Sequence, residues 1–258
     1  MRSLFLKGVG AYVRWIEIPG DGPVTVCVHG LGCTAGSDFA HVVTRGPLAG
    51  RRAVLVDLLG FGLSDRPRGF RYRVEEQAAV VAEVLEHEGL GGVELLGHSM
   101  GGAVAVHLAA ARPDLVARLV VAEPNLYPGG GMFSSPVAAQ TEDAFVREGF
   151  ARMVAETPRA DYAARLRLAD PVAVHRSSVA LVEGTSPSAG DLLVGLDRPR
   201  AFLVGAHTRP DAEADRMEAA GVPVIEVPDA GHDMMIDNPG GFAAAVAEGF
   251  RVPFPRLP

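Results

Sequence analysis

Five short runs, VTVCVHG, AVLVD, VELLGHS, RLVVAEP and AFLVGA, are almost continuously apolar, and each is separated from the next by a longer stretch. A strand that reads apolar on both faces has to be covered on both faces. That condition is met by a parallel sheet with helices above and below it. The runs predict strands at Val24–His29, Ala53–Asp57, Val93–Leu96, Leu119–Ala122 and Ala201–Val204, with further strands at Ala11–Ile18 and Val222–Val227. Between them, Val74–Glu88, Gly101–Arg112 and Phe242–Phe250 carry apolar residues at helical spacing. The expected class is α/β, with a mostly parallel sheet.

One region interrupts this alternation. From Leu126 to Asp197 no strand pattern appears, while Glu142–Glu156, Asp161–Leu168 and Pro171–Val182 read as helices. The expectation is a core of residues 1–125 and 198–258 carrying a helical cap of residues 126–197. The Pro-Gly-Gly-Gly segment at 128–131 and the segment at 184–190 would serve as its hinges or loops. The plainer alternative is that these helices pack as an ordinary face of a single domain.

Charge and cysteine content narrow the possible partners. With 24 basic and 31 acidic residues the net charge is −7. No basic face is clustered in the sequence, so nucleic acid and anionic membrane are not expected partners. No apolar stretch approaches a membrane span, and Met1 to Trp15 lacks the pattern of a signal peptide. Cys27 and Cys33 are read as free thiols of a reducing cytoplasm. No Cys/His spacing suits zinc, and no metal is expected.

Three short motifs carry chemistry. Gly97-His98-Ser99-Met100-Gly101 fits G-x-S-x-G and falls between the strand VELL and the helix GAVAVHLAAA. A serine on so tight a turn is held in strained backbone, and small neighbours are needed to let the chain pass. His29-Gly30-Leu31-Gly32 follows the strand VTVCV, where a turn can aim the Leu31 N–H at the point addressed by the Met100 N–H. Two such donors would form an oxyanion hole, with His29 holding the turn by hydrogen bonds. His232, in Asp229-Ala230-Gly231-His232-Asp233, lies on a Gly-containing loop between the last strand and the last helix, as a base reaching across to a serine must. His41, His87, His107 and His175 fall within helical patterns, and His207 is a distant rival. The His98 side chain is expected to point away from Ser99.

Together with the stretch DLLGFGLSDRP, these motifs resemble, in order and over nearly the whole chain, the α/β-hydrolase superfamily. The resemblance implies an eight-stranded, mostly parallel sheet, a cap after the sixth strand and chemistry without a cofactor. It makes Asp57 a brace of its loop rather than a catalytic group. The family's usual acid would fall on Thr208, which cannot carry a charge. Asp211 could substitute if its loop folds back. Glu123, after the strand RLVVA, is the favoured candidate, since haloalkane dehalogenases and zearalenone-type lactone hydrolases similarly carry a glutamate there. A serine at the elbow argues against dehalogenase and epoxide hydrolase chemistry, which in this fold uses an aspartate.

The expected activity is hydrolysis of a carboxylic ester or lactone through an acyl-serine, with Ser99, His232 and Glu123 as the catalytic residues. A small hydrophobic substrate would lie against Met132, Phe133, Phe145, Phe150 and Met153, unless these form the cap's own core. Carbon–carbon bond hydrolysis, thioester hydrolysis and acyl transfer use similar residues. A small-molecule binding protein that retains the triad is the alternative outside catalysis.

Overall fold

The computed structural model describes residues 1–254. Its eight strands are β1 (Arg2–Leu6), β2 (Ala11–Ile18), β3 (Asp21–Val28), β4 (Arg51–Asp57), β5 (Val93–His98), β6 (Val116–Ala122), β7 (Arg200–Gly205) and β8 (Val224–Val227). They form one sheet in the order β1-β2-β4-β3-β5-β6-β7-β8, antiparallel at β1/β2 and β2/β4 and parallel from β4 onward.

Side chains alternate between two cores, one on each face of the sheet. Leu95, Leu119, Val121, Phe202 and Val204 enter one; Leu96, Val120, Ala122, Ala201 and Leu203 enter the other. This period of two, apolar on both faces, is what the continuous apolar runs encode. The second core is closed by α1 (Ala35–Val43) and, at the far end of the chain, by α12 (Pro239–Gly249), through Phe39, Val42, Phe242 and Val246. The first is closed by α2 (Val74–His87) and α3 (Met100–Ala111).

Between β6 and β7 the chain runs through α4 (Ser134–Ala138), α5 (Glu142–Ala144), a π-helical turn (Phe145–Gly149), α6 (Phe150–Glu156), α7 (Ala160–Leu166), α8 (Pro171–Glu183) and α9 (Ala189–Gly195). The core of this insert, with Phe145, Leu166 and Val174, is continuous with the first sheet core, so the two are joined rather than separately packed. Among the described residues two α-helices remain, α10 (Ala212–Ala219) after β7 and α11 (Met234–Asp237) before α12, with a short 3-10 turn at Gly46–Leu48 before β4.

Several elements carry little or no sequence signal of the kind sought. In β1 only Leu6 is buried, so an edge strand with one core residue shows no apolar run. In α1, Ala35 is followed by Gly-Ser-Asp, poor helix formers, and the helix start is held by the Thr34 side chain as N-cap and by Asp57 Oδ1, which accepts the Ala35 N–H at 2.8 Å. The segment at 184–190, read as a loop, instead passes into α9, which Ser188 caps from its hydroxyl.

Candidate active site

β5 ends at the centre of the sheet, and the chain reverses into α3 through Ser99, whose φ and ψ are 53° and −122°. L-residues adopt such values at a cost of about 1–3 kcal/mol, so the surroundings must enforce them. They do so by close approach. A Cβ on Gly97 would lie 2.4 Å from the Gly101 carbonyl oxygen, and one on Gly101 would lie 2.3 Å from the Val28 carbonyl oxygen. The Ser99 N–H donates to the Ala122 carbonyl at 2.9 Å, which ties the turn to the neighbouring strand.

The Glu123 backbone is likewise forced, with φ at 39°, and its N–H donates to Leu203 O at 3.0 Å. Its carboxylate is buried and fully engaged. Oε1 accepts the Gly205 N–H at 2.9 Å, and Oε2 receives His232 Nδ1–H at 2.7 Å. Burial works to raise the Glu123 pKa, but the His232 ring, the Gly205 amide and the Thr208 hydroxyl together hold it below the ordinary carboxylate range. For His232, enclosure works to lower the pKa, and the bond to Glu123 with its charge raises it above the ordinary imidazole range. Because Nδ1 is committed to Glu123, Nε2 is the nitrogen left to exchange a proton. Ser99, His232 and Glu123 all line one cavity of about 310 Å³.

Asp211 is placed elsewhere in purpose. It faces the same cavity, yet its Oδ1 caps α10 by accepting the Ala214 N–H at 2.6 Å. Thr208 supports the carboxylate that the neighbouring strand supplies, and His207 is exposed to solvent.

The turn after β3 presents a free amide. Leu58 N–H donates to His29 Nε2 at 3.1 Å, which makes Nδ1 the protonated nitrogen, and Nδ1–H donates to Gly30 O at 2.7 Å. Cys33 N–H binds the same carbonyl at 3.2 Å. A trans peptide carries its N–H opposite its C=O, so pinning Gly30 O fixes the direction of the Leu31 N–H. Among the described residues neither Leu31 N–H nor Met100 N–H, at the start of α3, has a protein acceptor. Asp57 braces the adjoining loop, with Oδ2 accepting Leu63 N–H at 2.9 Å and its carbonyl accepting Ser64 Oγ–H at 2.6 Å.

One expectation is corrected, and His98 proves to have a defined place. Its side chain, expected to point away from Ser99, lines the same cavity. It is buried beside the His232 ring, centroids 4.7 Å apart, and donates Nε2–H to the His232 carbonyl at 2.9 Å. Burial, with His232 beside it, pushes its pKa down to about 3. The motif spacing contained no sign of this, because the acceptor lies on a loop distant in sequence. Of the five candidate wall residues, Met132 and Phe133 line the cavity, and Phe145, Phe150 and Met153 do not. Phe145 is fully buried in the insert's core and packs edge-on to Phe150. The alternative that some were core residues holds for these two. Sequence reasoning missed Tyr162, whose hydroxyl donates to Leu31 O at 3.0 Å, and Glu213 on α10, which faces the cavity.

A central serine on a strained strand-to-helix turn, with a histidine–carboxylate pair beyond the sheet's carboxyl edge, defines an α/β hydrolase. The family model of the alpha/beta hydrolase fold matches residues 23–175, and the chain belongs to that family. It is 30% identical over 224 residues to haloalkane dehalogenase 2 of Mycobacterium bovis, covering 77% of this chain and 78% of the relative. A thermophilic esterase from Thermogutta terrifontis superposes with a TM-score of 0.80 at 24% identity, covering 97% of each chain. The enol-lactonase from Burkholderia xenovorans LB400 superposes with a TM-score of 0.79 at 19% identity, covering 96% of this chain and 99% of that one. Among the described residues no helix is long and apolar enough to cross a membrane.

Proposed function

We propose that this hydrolase cleaves a carboxylic ester or lactone through an acyl-serine intermediate. The observation that carries the reading is the 2.7 Å pairing of His232 with buried Glu123, facing the cavity that Ser99 enters on its strained turn. Ser99 Oγ bonds to the substrate carbonyl carbon as its proton passes to His232 Nε2. The electron pair displaced onto the carbonyl oxygen is held by the Leu31 and Met100 N–H groups, each worth about 3 kcal/mol in such sites. The tetrahedral centre collapses, expelling the alkoxide, which takes the proton from His232. Water then repeats the sequence with His232 as base, releasing the acid and restoring Ser99. In a lactone the expelled alcohol stays tethered to the acyl group.

The serine also argues against the chemistry of the dehalogenase relative. A carboxylate that displaces halide forms an ester, which water can open. A serine doing the same would form an ether, with no carbonyl for water to attack, and the enzyme would be spent. In this reading the insert of residues 126–197 acts as a cap, supplying Met132 and Phe133 as walls for a small hydrophobic substrate, and the two buried thiols, Cys27 and Cys33, suit the cytoplasm. No metal or cofactor enters the scheme.

The test is covalent. A fluorophosphonate probe is expected to label Ser99, located by mass spectrometry after digestion, and Ser99→Ala should abolish turnover of short p-nitrophenyl esters. Labelling at another serine, or wild-type turnover by Ser99→Ala, would remove the basis of the proposal.

A further inference from the structure

A second concavity of about 250 Å³ lies on the insert, beside the reactive cavity. Pro136, Met153 and Pro158 give it apolar surface above the buried Val137 and Phe145, with Gln140, Arg152 and Glu156 among the few polar side chains. Among the described residues only Met132 and Phe133 line both spaces. Both are exposed for such large apolar side chains, Met132 at 79% and Phe133 at 36%. Phe133 packs against Tyr162, centroids 5.0 Å apart, and the Tyr162 hydroxyl binds the carbonyl of Leu31. Phe133, which borders both spaces, therefore stands beside the oxyanion turn.

We propose that this outer groove is a subsite for the apolar tail of a long-chain ester or lactone, which reaches it from the reactive cavity past Phe133. The proposal rests on the hydrolytic reading given above.

The distribution of charge selects this exit. The β7–α10 side of the cavity is walled by Thr208, Asp211 and Glu213, and an alkyl chain there would strip water from carboxylates without replacing it. The Met132–Phe133 side offers apolar surface that continues into the groove. A tail lying along it would cover the two exposed side chains and remove their own apolar area from water, so substrate and protein both gain. Phe133 stands on the carboxyl side of Gly129, Gly130 and Gly131, and the first two have φ of 123° and 71°, values that L side chains rarely adopt. The polar rim of Gln140, Arg152 and Glu156 suits a tail that ends at solvent.

The test compares kcat/KM for p-nitrophenyl acetate, butyrate, octanoate and decanoate in four proteins. Met153→Trp and Gln140→Trp fill the groove from different segments of the insert, so misfolding of one leaves the other. Each should lower the decanoate-to-butyrate ratio by about tenfold or more, since even one methylene in an apolar site changes kcat/KM roughly 10–200-fold. Phe133→Ala, which widens the passage, should raise that ratio. A ratio unmoved in all three variants, or parallel losses at every chain length, overturns the subsite and leaves the groove to a partner's surface. In that outcome butyrate turnover by the wild type keeps the hydrolytic reading intact. If the wild type turns over no ester of any length and its Ser99 stays unlabelled by fluorophosphonate, both fall together.

Discussion

At the residue scale the sharpest question is which carboxylate serves His232. Glu123 binds Nδ1 directly, while Asp211 spends its carboxylate on the first turn of α10. Glu123→Gln should keep the fold and lose on the order of a hundred- to ten-thousand-fold in kcat, by misplacing the imidazole proton and removing its balancing charge. Asp211→Asn should be nearly silent, because asparagine caps a helix about as well as aspartate does. A dead Asp211→Asn beside an active Glu123→Gln would reverse the assignment. The pH dependence follows from the same pair. In the proposed mechanism only neutral His232 accepts a proton from Ser99, and its pKa is raised. The acidic limb of kcat/KM should therefore rise with pH at a midpoint above the ordinary imidazole value of about 6.5. In Glu123→Gln, whatever activity remains should show that midpoint moved to lower pH. A midpoint unchanged by the substitution would mean that Glu123 does not govern the base.

At the scale of elements, the insert is fastened to the sheet by charge as well as by its apolar core. Arg165 of α7 is almost fully buried and donates to Asp38 of α1 at 2.7 Å and to Asp161 at 2.9 Å, and lies 3.5 Å from Asp233, the residue after His232. Arg159 extends the network to Asp237, which in turn accepts the Gly231 N–H. Arg165→Met leaves the wholly buried Asp38 without its counter-charge, and breaking such a pair costs about 3–5 kcal/mol. Urea unfolding should show this loss. Adding Asp38→Asn to the same protein should recover a large part of it, and equal midpoints in the single and double variants would mean that the pair is not what Arg165 stabilises. None of this network was legible beforehand. Asp38 and Arg165 are separated by 127 positions, and each reads alone as a charge on a helix.

Across the whole molecule the field is acidic, from a net charge of −7 and from Glu123, Asp211, Glu213 and Asp233 around one cavity. Burial and the nearby Asp211 raise the Glu213 pKa to about 7, so that wall gains negative charge as pH passes neutrality. Neutral esters should be preferred over anionic ones of the same length. The preference for p-nitrophenyl butyrate over the hemisuccinate should widen between pH 6 and 8 in the wild type (about 0.6–3 kcal/mol is the range for a charge pair at surface-like dielectric and separations of several ångströms). In Glu213→Gln that widening should shrink. An equal widening in both proteins would place the discrimination elsewhere.

What the sequence determined by itself is whatever a short stretch of chain must satisfy locally. Strands buried on both faces have to be continuously apolar, and the parallel sheet followed from that. A serine held at positive φ needs glycine on both sides, and the Gly97–Gly101 turn was therefore legible, as was a histidine on a Gly-containing loop after the last strand. The tertiary structure decided everything that depends on which distant segments meet. It set Glu123 rather than Asp211 against His232, because β6 lies between β5 and β7 and because Asp211 faces its own helix end. It turned His98 toward the His232 loop, split the five apolar candidates between a cavity wall, a buried core and an outer groove, and paired Arg165 with Asp38. Such contacts are selected by the burial and hydrogen bonding of the assembled molecule. Their partners lie tens to more than a hundred residues apart, so no periodicity or spacing in the chain announces them.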